Sequence, residues 1–337
     1  MKLNNKFAIG CLVQWYEIEI FEEYFESLKN ALKDIDNKEN VVVDIFFNMA
    51  QNLDQVDEDE ISIQDIFDRF IKIRNELTIN HINSITNFYP PSAKSVNDKS
   101  LKPYTIADYR REFNNRYCEK VDVLMWGETD SLIPKQTFEI LDNLHTQVKD
   151  KTPKYVGFFG ICKMWDESWK QIEHPDFTDK PFIENDYDNW WSVKYTMSLE
   201  EMNKFNDKVE DLDVQVLDGF KFNGCGLIIS SEVVKAGVNI PKSVFFVHED
   251  TAFQNTLIRL FGNSIPQYVI KNILLVHNRN HPKKRMYISG ERLDGTMNEK
   301  RRSNEWYVKA NKMCEHNAYN IFNQTKTYTW EDVFEES

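Results

Sequence analysis

The chain has 337 residues, of which 41% are hydrophobic and 13% aromatic, enough for a sizeable core in one large or two modest domains. Its formal charge of -13 argues against a nucleic-acid partner, because that binding depends on clustered lysines and arginines. Five widely spaced cysteines without a CxxC pair predict neither a disulfide framework nor a structural zinc site. With no hydrophobic run of membrane-span length and no signal-peptide pattern, we expect a cytoplasmic protein without a membrane span.

The first eighty residues alternate between strand and helix patterns. Apolar runs over 7–13 and 41–47 predict buried strands, and apolar residues at helical spacing predict helices over 17–32 and 61–77. This alternation is typical of an α/β fold, in which helices cover both faces of a mainly parallel sheet.

A basic helix and an acidic strand end follow. The helix is predicted over 105–118, and its arginines either grip a diphosphate or form a solvated face paired with glutamates. The apolar run 121–126 then stops at Gly127, and Glu128 and Asp130 come directly after it. Carboxylates beyond the end of a strand can hold Mg²⁺ or Mn²⁺, although Asp130 could instead cap the next turn. Because the chain is acidic, an anionic nucleotide would need such a cation.

The second half begins with a predicted insertion over 160–210. Four of its residues are tryptophans that either pack inward or reach an acceptor pocket, namely Trp165, Trp169, Trp190 and Trp191. Segment 218–230 holds three of the eleven glycines of the chain, which predicts close backbone approach or a bulged strand. Glu249 and Asp250 precede a helical pattern over 251–261, where capping is the simplest explanation.

The last predicted strand, 273–276, ends at His277, and His281 lies just beyond it. A histidine at a strand end is usually a polar edge residue, but an imidazole can also ligate a metal and suits Mn²⁺ better than Mg²⁺. The basic residues 283–285 and 301–302 form either a C-terminal lid over phosphates or ordinary surface charge.

These features come in an order that resembles the nucleotide-sugar glycosyltransferases of the GT-A fold, including family 2-like members. The resemblance covers roughly residues 7–281 and rests on the order of the elements more than on any single motif. That order is the βα units, the arginine-bearing helix, the strand with Glu128-Thr129-Asp130, the glycine segment, His248-Glu249-Asp250 at a helix and the late His277. It implies a GT-A, Rossmann-like mixed sheet, mainly parallel and flanked by helices. It also implies a nucleotide-sugar half over 1–150, an acceptor and catalytic half over 151–285, and a tail or lid over 286–337.

The resemblance further implies roles for single residues. The metal, Mn²⁺ or Mg²⁺, would have three protein ligands, Glu128, Asp130 and His277, with His281 as a reserve. The donor, a UDP- or GDP-linked sugar, would contact Gln14, Trp15, Asp44, Asn48, Arg110, Arg111, Glu128, Gly224 and Gly226. Asp250, beside Glu249, would remove the proton of an acceptor hydroxyl, on a glycan or another molecule, with inversion at the anomeric carbon.

Other functions stay open at this stage. A retaining transferase could share the metal site and use the acids only for orientation. A sugar-phosphate nucleotidyltransferase could use the same sheet, but the turn Gln14-Trp15-Tyr16-Glu17 lacks the glycine-rich, arginine-containing loop expected there. A non-catalytic carbohydrate-binding or scaffold protein would bind its ligand without regard to Mn²⁺.

Overall fold

The computed structural model describes residues 1–48, 62–79, 84–88, 104–161, 198–217, 224–278, 292, 294–297, 304–322, 326–329 and 331–334. Several predictions fall outside these residues: the four tryptophans of the insertion, most of 160–210, His281, and the basic residues 283–285 and 301–302.

The described strands belong to one nine-stranded sheet. They are β1 (Phe7–Gln14), β2 (Val41–Asn48), β3 (Ser84–Phe88), β4 (Val123–Trp126), β5 (Ser131–Leu132), β6 (Val156–Ile161), β7 (Val214–Leu217), β8 (Ile228–Ser230) and β9 (Gln267–His277). Their order is β3-β2-β1-β4-β8-β6-β9-β5, and β7 also pairs with β9. Only β5, β7 and β8 run against the other strands, so the sheet is mixed and mainly parallel.

Helices connect these strands. They are α1 (Ile18–Leu32), α2 (Ile63–Ile79), α3 (Ile106–Tyr117), α4 (Thr137–Val148), α5 (Leu199–Asn206), α6 (Ser231–Lys235), α7 (Glu249–Phe261), α8 (Asn304–Asn320) and α9 (Glu331–Phe334), with short 3-10 helices at Trp15–Glu17 and Lys38–Asn40. In the part of the chain described by the structure, none of the helices has the length and apolarity needed to cross a lipid bilayer.

The two faces of the sheet build two separate cores, as β1 illustrates. Its side chains alternate, so Phe7 and Ile9 pack into the core formed with α1, α2 and α4. Ala8 and Leu12 pack into the opposite core, which includes residues of α3, α6 and α7. A strand that is buried on both faces reads as a continuous apolar run, which explains the sequence pattern. The opposite core also fixes α3 and the start of α7 on the same side of the sheet.

The predicted fold class, a mixed and mainly parallel α/β sheet flanked by helices, is confirmed. Most predicted elements differ from the observed ones by a few residues; the last strand is longer, since it begins at Gln267. The functional division near residue 150 stays a prediction. Strands from both sides of it share the sheet, because β4 pairs with β8.

Candidate functional site

The candidate site lies at the edge of the sheet where the parallel strands end. The chain of β4 continues through Gly127 into Glu128, and β9 ends at His277, which pairs with Ser131. Because β8 runs against β4, the residues that precede β8 reach the same edge: Gly226 donates its N–H to the carbonyl of Trp126 at 3.1 Å. Ligands of open α/β sheets bind outside the carboxyl ends of the strands, which is this edge.

Arg110 of α3 lies at the centre of the site. It is 1% exposed. Its Nη1 donates to Glu249 Oε1 at 2.5 Å, and its Nη2 donates to Glu128 Oε1 at 2.6 Å and to the Gly224 carbonyl at 2.9 Å. The guanidinium also lies 4.7 Å from the centre of the Trp126 ring, a cation–π distance. A single buried cation therefore fixes the strand-end acid and the acid at the start of α7 relative to each other.

Gly224 allows this close approach of backbone and guanidinium. A Cβ atom at this position would overlap Arg110 Nη1, so a larger residue would displace the arginine. The N–H of Gly224 donates to Asp250 Oδ2 at 3.0 Å. The close backbone approach predicted for 218–230 is thus observed at Gly224. Nearby Gly226 has a φ of +70°, in the left-handed region that glycine tolerates best.

Three types of ligand atom converge beside Arg110. The ligand atoms of Glu128, Cys225 and His277 all lie within 4.8 Å of one another. His277 Nε2 is 3.2 Å from Glu128 Oε2 and 3.6 Å from Asp130 Oδ1. We call this group the edge cluster; its members are Arg110, Glu128, Asp130, Gly224, Cys225, Glu249, Asp250 and His277.

Burial and neighbouring charges together shift the pKa values of three residues of the edge cluster. Burial opposes ionisation of Glu128, but Arg110 and His277 outweigh it and lower the pKa of Glu128 to about 2. Burial likewise opposes the charge on His277, yet Cys225 and Asp130 raise its pKa well above the usual value. Burial raises the pKa of Glu249 to about 7, even though Arg110 opposes the shift.

Acidic groups outnumber cations in the edge cluster. Four carboxyl groups, from Glu128, Asp130, Glu249 and Asp250, stand against the two cationic side chains Arg110 and His277. The donor atoms fit a divalent cation: carboxylate oxygen and imidazole nitrogen suit Mn²⁺, and the thiol suits softer ions. Mg²⁺ fits this donor set less well, because it demands oxygen ligands.

The start of α7 has an unusual backbone. His248, the residue before Glu249, has a φ of +63°, which is uncommon for a residue with a side chain. Its Nε2 lies 3.2 Å from Asn311 Oδ1 on α8. Asp250 lies in the first turn of the helix, where its Oδ1 accepts the N–H of Thr251 at 2.7 Å, while its Oδ2 accepts the N–H of Gly224. The N-cap residue is His248, which makes no side-chain cap hydrogen bond, so the two acids occupy the helix start without capping it, and the role of Asp250 as a base stays a prediction.

Three donor-binding candidates lie at the ends of β1 and β2, on the same edge of the sheet. Asn48 donates to Gln14 Oε1 at 2.9 Å and to the carbonyl of Tyr104 at 3.1 Å. Trp15 follows Gln14 and is 4% exposed. These contacts tie the ends of the two strands together, and the nucleotide contacts of all three residues stay predictions.

Asp44 and Arg111 do not join the edge cluster. Asp44 is buried on β2, where it accepts from Arg116 at 2.8 Å and from the Tyr117 hydroxyl at 2.7 Å. Tyr109 donates to it as well, and we call these four residues the Asp44 network. Arg111 donates to Asp108 and to backbone carbonyls of the segment after α6, those of Ile240, Pro241 and Val244. Their predicted contacts with a donor stay predictions.

Two residues at the site are not singled out by the sequence patterns. These are Cys225, a member of the edge cluster, and Trp126, whose ring packs against Arg110. The available signal was the position of Cys225 between two glycines, immediately before a predicted strand. Trp126 gave no such signal, because its role depends on Arg110 packing against its ring.

Comparison with known proteins adds little to this geometry. No protein-family model matches the chain, and no curated protein matches it. Among solved structures, a mannosyltransferase of Pyrobaculum calidifontis in complex with GDP-mannose and Mn²⁺ matches over 85% of this chain, with 9% sequence identity and a TM-score of 0.45. The chain spans 59% of the length of that enzyme. A similarity of this degree indicates no function for this chain.

Proposed function

We propose that the protein is a metal-dependent glycosyltransferase that moves a sugar from a nucleoside-diphosphate donor to an acceptor hydroxyl. The observation that carries the proposal is the convergence of Glu128, Cys225 and His277, with Asp130 beside them, at the carboxyl edge of a mainly parallel sheet. The surplus of acids there favours a cation, and a cation is what an anionic donor needs in an acidic protein.

Glu128, Asp130 and His277 would hold the ion, with Arg110 fixing the orientation of Glu128. When bound, the ion offsets the charge that develops on the departing diphosphate. Because Arg110 is buried and bonded to two carboxylates, its role in this proposal is to orient those acids. A direct bond from Arg110 to the diphosphate would require it to give up one of them.

The donor would be a UDP- or GDP-linked sugar that extends along the edge of the sheet. Gln14, Trp15 and Asn48 at the ends of β1 and β2 would contact its base and ribose. Gly224 and Gly226 would lie under its sugar, as the resemblance to the GT-A enzymes implies.

The acceptor would be a glycan or another molecule with a free hydroxyl. Asp250 would remove the hydroxyl proton as the oxygen attacks the anomeric carbon, and the configuration would invert. Glu249 is the second candidate base, and its pKa of about 7 suits proton removal near neutral pH.

A thermal-shift screen tests the proposal. UDP, GDP, CMP and their sugars are added with and without Mn²⁺ to the wild type, Asp130→Asn and the control Asp142→Asn, whose carboxyl group bonds to Asn4 and Asn5 before β1. One nucleoside diphosphate should stabilise the wild type and Asp142→Asn only with Mn²⁺, by about 2.7 kcal/mol at a hundredfold excess over its Kd. Asp130→Asn should not respond. A shift that ignores Mn²⁺, without turnover of any nucleotide sugar, would instead indicate a carbohydrate-binding or scaffold protein.

The base assignment needs its own test once a donor and an acceptor are known. Asp250→Asn should lower the transfer rate by roughly 10² to 10⁴-fold, the usual contribution of a general base, and leave Mn²⁺-dependent donor binding intact. Glu249→Gln is the matched comparison. If Asp250→Asn retains transfer while Asp130→Asn loses it, Asp250 is not the base, and the metal site is unaffected.

A further inference from the structure

We infer that Cys225 is a sulfur ligand of the metal and that the site therefore selects a thiophilic divalent cation, such as Zn²⁺ or Co²⁺, over Mg²⁺. The inference rests on the proposed metal site and goes beyond it, because it assigns one further ligand and the class of ion. Among the described residues, three ligand groups converge at this edge, and the thiol of Cys225 is the sulfur donor of the three.

The structure holds the Cys225 backbone from both sides. Gly224 is fixed by its carbonyl bond to Arg110 and its N–H bond to Asp250. Gly226 is fixed by its N–H bond to the carbonyl of Trp126. Cys225 itself is 2% exposed. A side chain with so little freedom loses little conformational entropy when it ligates an ion, so its sulfur is well prepared for coordination.

The distances agree with a shared ion. A tetrahedral zinc site has Zn–S distances of about 2.3 Å and Zn–N and Zn–O distances of about 2.0–2.2 Å, which places its donor atoms roughly 3–4 Å apart. The ligand atoms of Glu128, Cys225 and His277 lie within 4.8 Å of one another, so movements of about 1 Å bring them to these separations. Asp130 Oδ1, at 3.6 Å from His277 Nε2, is within reach as a fourth donor.

The chemistry of the donors then decides the ion. A mixed set of carboxylate, imidazole and thiolate is typical of zinc and other late first-row metals, while Mg²⁺ takes oxygen ligands in a strict octahedron. On binding, the S–H bond of Cys225 breaks, its proton passes to solvent and a sulfur–metal bond forms. No electron transfer is involved.

Absorption spectroscopy of the Co²⁺ form tests the inference without any assay of activity. The full chain, kept reduced with a phosphine, is titrated with Co²⁺ as wild type, Cys225→Ser and Cys118→Ser. Cys118 is the matched control because it is a buried thiol that bonds to a backbone carbonyl on α3. The wild type and Cys118→Ser should both show visible d–d bands and a near-ultraviolet sulfur-to-cobalt band.

Cys225→Ser should lose the sulfur band and bind Co²⁺ at least roughly 10-fold more weakly. Loss of a residue that only hydrogen-bonds to a metal ligand already weakens metal binding by roughly 10-fold or more, so loss of a ligand should weaken it at least as much. Zn²⁺ should displace Co²⁺ from the wild type, and Mg²⁺ at the same concentration should not.

Each contrary result has a distinct meaning. If the wild type shows d–d bands without a sulfur band, or if the sulfur band survives in Cys225→Ser, then Cys225 is not the ligand, while the metal site and the proposed function stand. If the folded wild type binds no Co²⁺, the inference fails together with the metal dependence of the proposed function.

Discussion

Two arginines of α3, Arg110 and Arg116, have different electrostatic surroundings. Arg110 is buried and faces two carboxylates, Glu128 and Glu249, within a cluster that has more acids than cations. Arg116, six residues later, faces the single carboxylate of Asp44, which also accepts from two tyrosine hydroxyls, and its side chain is 31% exposed. The Asp44 network is balanced in charge, whereas the edge cluster is not.

This difference separates a structural network from a candidate site. Burying an isolated charge is costly, so a network that serves only stability is expected to match each charge and satisfy each hydrogen bond. A surplus of carboxylates at the edge of a sheet is tolerable when a ligand of opposite charge binds there. Arg116 of α3 therefore contributes to stability, and Arg110 of the same helix contributes to the arrangement of the proposed site.

The largest expected effect comes from removing each arginine in turn. Arg110→Met leaves the buried Glu249 and the partly buried Glu128 without this cation and should lower the free energy of unfolding by about 3–5 kcal/mol. Arg116→Met should cost less, because Arg116 is partly solvated and Asp44 keeps two hydroxyl donors. Urea unfolding of the metal-free variants compares the two. An equal or larger loss in Arg116→Met would contradict the distinction.

Two glycine substitutions sharpen the comparison, because each crowds one of the regions. A Cβ at Gly224 would overlap the Arg110 guanidinium, and a Cβ at Gly10 would lie 2.6 Å from Phe113 Cε2 and 2.8 Å from the Tyr109 hydroxyl. Both Gly224→Ala and Gly10→Ala should lose about 1–3 kcal/mol of stability through overpacking.

Only Gly224→Ala should also weaken Mn²⁺ binding, because the displaced Arg110 no longer orients Glu128. Calorimetric titration with Mn²⁺, at a temperature where both variants are folded, measures this. Unchanged Mn²⁺ affinity in Gly224→Ala would show that Arg110 does not position the metal ligands.

The smallest effect is the pH dependence that Asp44 contributes to stability. Burial raises the pKa of Asp44, although Tyr117 and Arg116 oppose the shift. Between its unfolded value near 3.9 and the raised folded value, the folded protein binds more protons than the unfolded chain. The contribution of Asp44 to stability should therefore fall as the pH rises through that window, by at most about 1.4 kcal/mol per pH unit.

The amide that replaces the carboxyl group in Asp44→Asn does not titrate in this window. The stability of Asp44→Asn relative to the wild type should therefore rise with pH across the same window. Urea unfolding of both proteins at a series of pH values between 4 and 6 checks the sign. A relative stability that stays constant or falls would show that burial does not govern this carboxyl group.

Local patterns predicted most of the fold. Apolar runs and helical spacing identify β1, β2, α1 and α7 to within a few residues, because a buried strand or an amphipathic helix leaves a direct trace in the sequence. The position of Glu128, Asp130 and His277 at one edge follows from the rule that parallel strands end together. The antiparallel direction of β8, which brings Cys225 to the same edge, has no local trace.

The partners of the arginines could not be predicted for a similar reason. Arg110 and Glu249 are 139 residues apart in the chain, and only the packing of α3 against the start of α7 brings them together. In the sequence, Arg110 and Arg111 are adjacent residues of the predicted basic helix, and no local pattern distinguishes their contacts. Their contacts differ because the side chains of successive helix residues point about 100° apart. Arg110 therefore reaches the edge cluster, and Arg111 reaches the segment after α6.

Electron paramagnetic resonance of added Mn²⁺ tests whether the surplus of acids in the edge cluster holds a divalent cation, since bound ions lose the sharp spectrum of free Mn²⁺. Wild type and Asp44→Asn should each bind one Mn²⁺, and Glu128→Gln should bind it at least roughly 10-fold more weakly. Glu128→Gln keeps the bond between Arg110 and Glu249, so its fold should persist. Equal binding by all three proteins, or none by the folded wild type, would show that the edge cluster does not hold the ion.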